Sequence, residues 1–207
     1  LLVRLPGQTG ARCCDALIPN IDFRPTWLEA CGLPAPEGID GRSFWPLLAG
    51  GAYRPHEHLF IERNFHGEPD DAAPGGHSDF YDPQRAIRTR DWHYVRNLIP
   101  EKRLRPSYAW EVRRFLDDPR GELDRPEPPD RFLRPAEELY HVRGDEWELF
   151  DLADRPGAAT IKADLAAKLD RWMHETDDPA LRPGIPPALN DPAIWPVAGK
   201  TVPIKRA

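Results

Sequence analysis

The sequence predicts an α/β chain, α+β within this segment. A helix-and-turn part over residues 1–54 is followed by a small antiparallel sheet packed by one long helix over 55–180. Three observations predict it. Gly and Pro punctuate the first fifty residues around one short helical pattern, the apolar period changes to two from residue 55, and a sustained helical stripe runs over 158–175. Residues 181–207 carry turn signals without periodicity and are expected to form an irregular tail.

Leu1 to Leu5 is a short apolar run of buried-strand type, closed by Pro6-Gly7. Asp22 stands where an N-cap would, and Pro25 falls in the first turn of a helix over 23–31 that Gly32 ends. Trp27, Leu28 and Cys31 share one face of that helix. Gly41-Arg42-Ser43-Phe44 makes a tight turn ahead of Pro46-Leu47-Leu48. His58-Leu59-Phe60-Ile61-Glu62 reads as a strand, and 85–89 with 92–96 as a hairpin turning at Arg90-Asp91. On the hairpin Ile87 and Tyr94 or Val95 are expected to pack inward, leaving Arg85, Arg88 and Arg96 to solvent or a cleft. A helical pattern spans 107–116, a polar exposed loop 121–134, and a fourth strand or strand-turn 146–152. In the last helix Ile161, Leu165, Leu169, Trp172 and Met173 form the apolar stripe, with Lys162, Lys168 and Arg171 outside. The 25 prolines exclude long uninterrupted helices over most of the length.

Charge and composition narrow the partners. With 34 acidic against 28 basic residues the net charge is −6, so no chain-wide positive field holds nucleic acid. No apolar run approaches the roughly 20 residues of a membrane helix, so no membrane partner is expected. Cys13, Cys14 and Cys31 lack the C-x-x-C spacing of a zinc or redox site. They are expected to be small buried side chains, the alternative being one bridge from Cys13 or Cys14 to Cys31. The start Leu1-Leu2-Val3-Arg4 has neither an initiator Met nor the parts of a secretory leader, as expected of a segment cut from a longer chain, and the compartment stays open.

The candidate site residues cluster at strand ends. Glu62-Arg63-Asn64-Phe65-His66 follows an apolar strand, where polar groups commonly face a pocket, and the stretch from Asp70 to Asp79 after it carries His77. Arg85, Arg88 and Arg96 offer guanidinium forks suited to sulfate or carboxylate. The acidic pairs Asp70-Asp71, Asp117-Asp118 and Asp177-Asp178 sit beside Pro or in turn-type sequence and read as solvated turn acids. His56-x-His58 has a spacing compatible with a metal but no third ligand nearby, and reads as surface histidines.

The ordered set Arg4-Leu5-Pro6-Gly7, Asp22 with Pro25-Thr26, Gly32-Leu33-Pro34, Gly41-Arg42-Ser43-Phe44, the hairpin 82–97, Glu137-Glu138-Leu139-Tyr140 and Trp172 to Pro179 resembles the C-terminal part of the type I sulfatases, in the alkaline-phosphatase-like superfamily. The likeness is greatest to members acting on N-sulfated glucosamine and to arylsulfatases. It implies that 1–54 ends a large α/β domain and that 55–180 is a smaller sheet subdomain shaping a cleft for a sulfated carbohydrate. It also implies substrate contacts at Glu62, Arg63 and His66 alone; His77, Arg85 and Arg88 join the candidate set from the reading of the residues themselves. The family's cofactors, calcium and a formylglycine made from cysteine in C-x-P-x-R, are expected in the full-length enzyme and not in this chain, because none of the three cysteines has the Pro and Arg at the required offsets. Competing classes are a non-catalytic glycan- or protein-binding module and part of a phosphodiesterase of the same superfamily.

Overall fold

A computed structural model describes residues 1–7, 9–65, 81–102 and 133–182. The helix expected over 107–116, most of the loop 121–134, the pairs Asp70-Asp71 and Asp117-Asp118, and the tail from 183 lie outside them. Contacts divide the chain into two units, Leu1–Leu59 and Phe60–Ala207.

The first unit is built on helix α1 (Phe23–Ala30) and the single-turn helix α2 (Trp45–Ala49). Its organising group is polar. Asp22 does not cap α1 as the sequence suggested: its side chain makes no capping bond. Instead the fully buried carboxylate accepts the Arg42 N–H at 2.7 Å and lies 2.7 Å from His56 Nε2. Thr26 completes the clasp, donating to the Asp22 carbonyl at 2.6 Å and accepting the Phe44 N–H at 2.9 Å. Gly41 is obligatory in the clasped turn, because a Cβ there would overlap the Ile21 carbonyl. A hydroxyl satisfied in both directions has to stay inside. It therefore selects the buried face of α1 as Pro25 and Thr26; of the expected face Trp27 and Cys31 are exposed and Leu28 is half-buried.

Two further expectations are corrected here. Leu1 to Leu5 forms no strand, and Leu1, Leu2 and Val3 are exposed, since no described segment supplies the ladder a strand needs. The three cysteines are free and exposed, lying in irregular chain or just past the end of α1.

The second unit is a four-stranded sheet in sequence order, β1 (His58–Phe65), β2 (Tyr81–Thr89), β3 (Trp92–Asn97) and β4 (Glu137–His141). The hairpin turns at Arg90-Asp91 as expected, pairing Ile87 with Tyr94 and Arg88 with His93, and β4 pairs Leu139 with Tyr94. The fourth strand is thus 137–141 and not 146–152, which is turn and bend. Helix α3 (Ala159–Glu175) covers one sheet face with the expected stripe: Leu165, Leu169 and Met173 are buried against Ile87, Tyr94 and Leu139, with Ile161 and Trp172 at the margin. The Trp172 ring stacks on Phe60 at 4.9 Å. Each fully buried aliphatic side chain adds roughly 1.5–3 kcal/mol. Beyond α3 the chain reverses at Asp177, with a left-handed φ of 50°, and Asp178 N–H returns to the Met173 carbonyl at 2.9 Å.

That reversal delivers a buried charge to a buried charge. Arg85, two residues from Ile87, shares its core face by strand parity and is fully buried instead of facing solvent. Asp178, 2% exposed, is no solvated turn acid. Arg85 Nε reaches Asp178 Oδ2 at 2.5 Å and Nη2 reaches Oδ1 at 2.7 Å. The other guanidinium hydrogens go to the carbonyls of Gln84 and Arg63 at 2.8 and 3.2 Å and to Asn64 Oδ1 at 2.9 Å. All five donors are therefore matched.

Burial pushes the Asp178 carboxyl up, but the Arg85 and Ala180 hydrogen bonds and the Arg85 charge outweigh it and hold it below its ordinary 3.8. Its stabilisation is accordingly complete above about pH 4 and lost as the pH falls through the lowered folded value. Asp178→Asn should destabilise the chain by about 3–5 kcal/mol in urea unfolding at pH 7, because it strands a buried guanidinium. The difference from wild type should shrink as the pH is lowered through that range.

Candidate functional site

Alternation gives the sheet a second face. Asp82, Gln84, Ala86 and Arg88 on β2 point away from α3, as do His93, Val95 and Asn97 on β3 and Glu138 and Tyr140 on β4. Arg63 of β1 joins them, shown by its ion pair with Asp82 at 3.2 Å. Arg134, just before β4, binds the other oxygen of the same carboxylate. Two guanidiniums thus share one buried Asp82. Burial draws the pKa of Arg63 down, Asp82 pulls it back, and the neighbouring Arg134 charge lowers it again.

A second cluster lies beside the first. Arg88 reaches Glu148 Oε1 at 2.9 Å, and His93 Nδ1 lies 2.9 and 3.0 Å from its two oxygens. Asn97 Nδ2 donates to Glu138 Oε1 at 2.6 Å, and the Tyr140 hydroxyl to Glu138 Oε2 at 2.5 Å. Burial first, then the bond to Glu138, raises the Tyr140 pKa, so the phenol keeps its proton and acts as a donor. Arg63, Gln84, Val95, Arg134, Glu138, Tyr140, Trp147 and Glu148 line an open groove of 420 Å³ over this face.

Of the residues singled out in the sequence, Arg63 and Arg88 lie on this face. Glu62 is exposed on β1 and accepts the Asn64 amide at 2.8 Å. Arg85 is on the opposite, helix-covered face. His66 and His77 lie outside the described residues. Asp82, Gln84, Glu138 and Tyr140 were missed, although their strand parity, opposite to Ile87 and Leu139, marks them. Arg134 and Trp147 come from irregular chain, where no period speaks for them.

No group of three His, Cys, Asp or Glu side chains among the described residues is arranged to hold a metal ion, His56-x-His58 included. The described residues therefore do not fit the calcium that the family likeness implies, and no chemical step runs through it here. Asp82→Asn should cost about 2–4 kcal/mol in urea unfolding, because two adjacent guanidiniums lose their shared counter-charge. Arg63→Gln, which leaves the Arg134 pair intact, should cost clearly less.

Comparison with known proteins shows what the chain is similar to. Residues 1–74 match the model described as N-sulphoglucosamine sulphohydrolase, C-terminal. An ulvan-active sulfatase of Formosa agariphila is 28% identical over 179 residues, covering 84% of this chain and 31% of that protein. The chain thus spans less than a third of that relative's length. Among solved structures, a 2-O GAG sulfatase superposes with a TM-score of 0.50 at 20% identity, over 76% of this chain and 25% of its own. A phosphonate monoester hydrolase from Silicibacter pomeroyi gives 0.51 at 20% identity, over 86% and 29%. At that identity the two structures speak for the fold alone. Over residues 1–74 by sequence, and over most of its length by a 28% identical relative and by fold, the chain is similar to the C-terminal region of sulfatases.

Proposed function

We propose that the polypeptide carrying this region hydrolyses sulfate esters or sulfamates on a sugar, and that the region shapes the sugar-binding side of the cleft. The observation that carries this reading is the likeness of residues 1–74 to a sulphohydrolase C-terminal model, extended over most of the chain by an ulvan-active relative. Nucleophile and calcium belong to the whole enzyme in this reading, since the cysteines here lack the C-x-P-x-R context. Residues 1–54 are the end of its large α/β domain, and 55–180 its smaller subdomain.

Within that division the chain's own groups bind and orient. Arg63 and Arg88, whose charges are met by Asp82 and Glu148, present planar guanidinium groups along the open sheet face to the oxygens of a sugar, sulfated or not. Glu62, exposed on the edge strand β1 with a parity opposite to that of Arg63, is an acceptor for sugar hydroxyls passing that edge, and His66 and His77 complete the proposed set. Arg85 acts from behind as a positioning residue, because its donors hold the Arg63 carbonyl and the Asn64 side chain.

The test is sulfate release from ulvan and chondroitin sulfate oligosaccharides by the product of the longer reading frame, beside the 207-residue chain alone. The longer product should encode C-x-P-x-R or a close variant, release sulfate, and lose activity when that cysteine becomes Ala. The chain alone should release none. Sulfate release by the chain alone, or a longer product that cleaves phosphodiesters and leaves sulfate esters untouched, would overturn the reading.

A further inference from the structure

Three large apolar side chains stand in solvent on one short loop of the second unit. Trp147 is 81% exposed, and Leu149 and Phe150 nearly as much. Clustered exposure of this kind marks a surface that something covers. The loop itself is firmly held. Glu148 adopts a left-handed φ of 53°, uncommon for a residue with a Cβ, and its carboxylate is gripped by Arg88 and His93. Asp145 Oδ2 accepts the Phe150 N–H at 2.8 Å, and Asp151 Oδ1 accepts those of Leu139 and Ala153, each at 2.9 Å. Glu148 is thereby turned inward while its neighbours Trp147 and Leu149 are presented outward.

Trp147 forms part of the wall of the 420 Å³ groove, beside Gln84, Arg134, Glu138 and Tyr140. Charge decides what this groove suits. Among the described residues Arg63, Arg88 and Arg134 meet Asp82, Glu138 and Glu148, three against three, so these groups leave no surplus field to collect a polyanion. The groove offers instead a broad aromatic surface next to planar amide, carboxylate and guanidinium groups. A pyranose matches that combination, with an apolar C–H face to lie against the indole and hydroxyls that both donate and accept. Among the described residues, Arg134 Nε and Nη1 also lack acceptors, a donor deficit in the same wall.

We propose that this groove binds an oligosaccharide through its ring faces and hydroxyls, with Trp147 as the stacking platform and Gln84, Arg134 and Glu138 as polar partners. The proposal rests on the sugar-sulfatase reading for its ligand class and not for its location. Sulfate on the sugar is tolerated and is not the source of affinity.

Binding of a chondroitin hexasaccharide and its 4-sulfated counterpart to the 207-residue chain, followed by calorimetry at low and high salt, tests it. Both should bind saturably with similar affinities that change little with salt. Trp147→Ala should weaken both by about tenfold or more, and Trp147→Phe should retain most of the binding, with unchanged circular dichroism in each. Absence of saturable binding would overturn the proposal, as would binding of the sulfated sugar alone that salt abolishes. Self-association in ultracentrifugation that Trp147→Ala removes, without sugar binding, would assign the patch to a protein partner instead. A chain that binds sugar while the longer polypeptide releases no sulfate would keep the groove and discard the sulfatase reading. An active enzyme whose chain binds neither sugar would do the reverse.

Discussion

The second unit depends on one buried contact, the pairing of Arg85 with Asp178 across 93 residues of sequence. A guanidinium removed from water is a large liability unless every donor is met, and here five acceptors meet five donors. These acceptors answer to three separate requirements of the fold. Asp178 demands that the chain reverse at the end of α3; Asn64 and the Arg63 carbonyl demand that β1 lie beside β2; the Gln84 carbonyl comes from the strand itself. Hydrophobic burial of Leu165, Leu169 and Met173 brings helix and sheet together, but apolar packing alone is non-directional. The ion pair supplies the direction, because a one-residue slip of β2 would carry Arg85 out and Arg88 in.

Fixing that parity also fixes the other face. With Arg85 and Ile87 under α3, the residues between and around them, Asp82, Gln84 and Arg88, are turned away from the helix by the same alternation. The open face then collects Arg63 and Arg134 on one carboxylate and Arg88 and His93 on another. Its charges are largely matched internally, which leaves shape, planar hydrogen-bonding groups and Trp147 as the means of recognition. In the proposed reading the face takes a supporting part, holding and orienting a substrate whose chemistry takes place on other groups. The first unit follows a similar economy at smaller scale, with the buried Asp22 and Thr26 tying the Gly41 to Phe44 turn to α1.

Much of this was legible in the residues. The stripe from Ile161 to Met173 specified α3, and the alternation around Ile87 and Tyr94 specified the hairpin and its turn, because both periods are set by local backbone geometry. The ordered motifs pointed to the sulfatases without any single one being decisive. What failed did so for identifiable reasons. Arg85 was assigned outward by its chemistry when its spacing from Ile87 put it inward, and only its distant partner makes that placement tolerable. Asp178 looked like a turn acid because the turn is local and the guanidinium is not. Residues 146–152 alternate like a strand, but the left-handed backbone at Glu148 breaks any ladder, and Glu does not signal such a conformation. In α1, apolarity favoured Trp27, whereas the two-way hydrogen bonding of Thr26 decided the face.

The central claim is that the sheet has one face sealed by α3 through the Arg85–Asp178 contact and one polar face bordered by Trp147. Hydroxyl-radical footprinting of the 207-residue chain measures this directly, since Trp147, Met173 and Tyr94 are all reactive side chains. The account predicts rapid oxidation at Trp147 with strong protection at Met173 and Tyr94. Oxidation of Met173 and Tyr94 as fast as that of Trp147, or protection of Trp147 in the isolated chain, would contradict it.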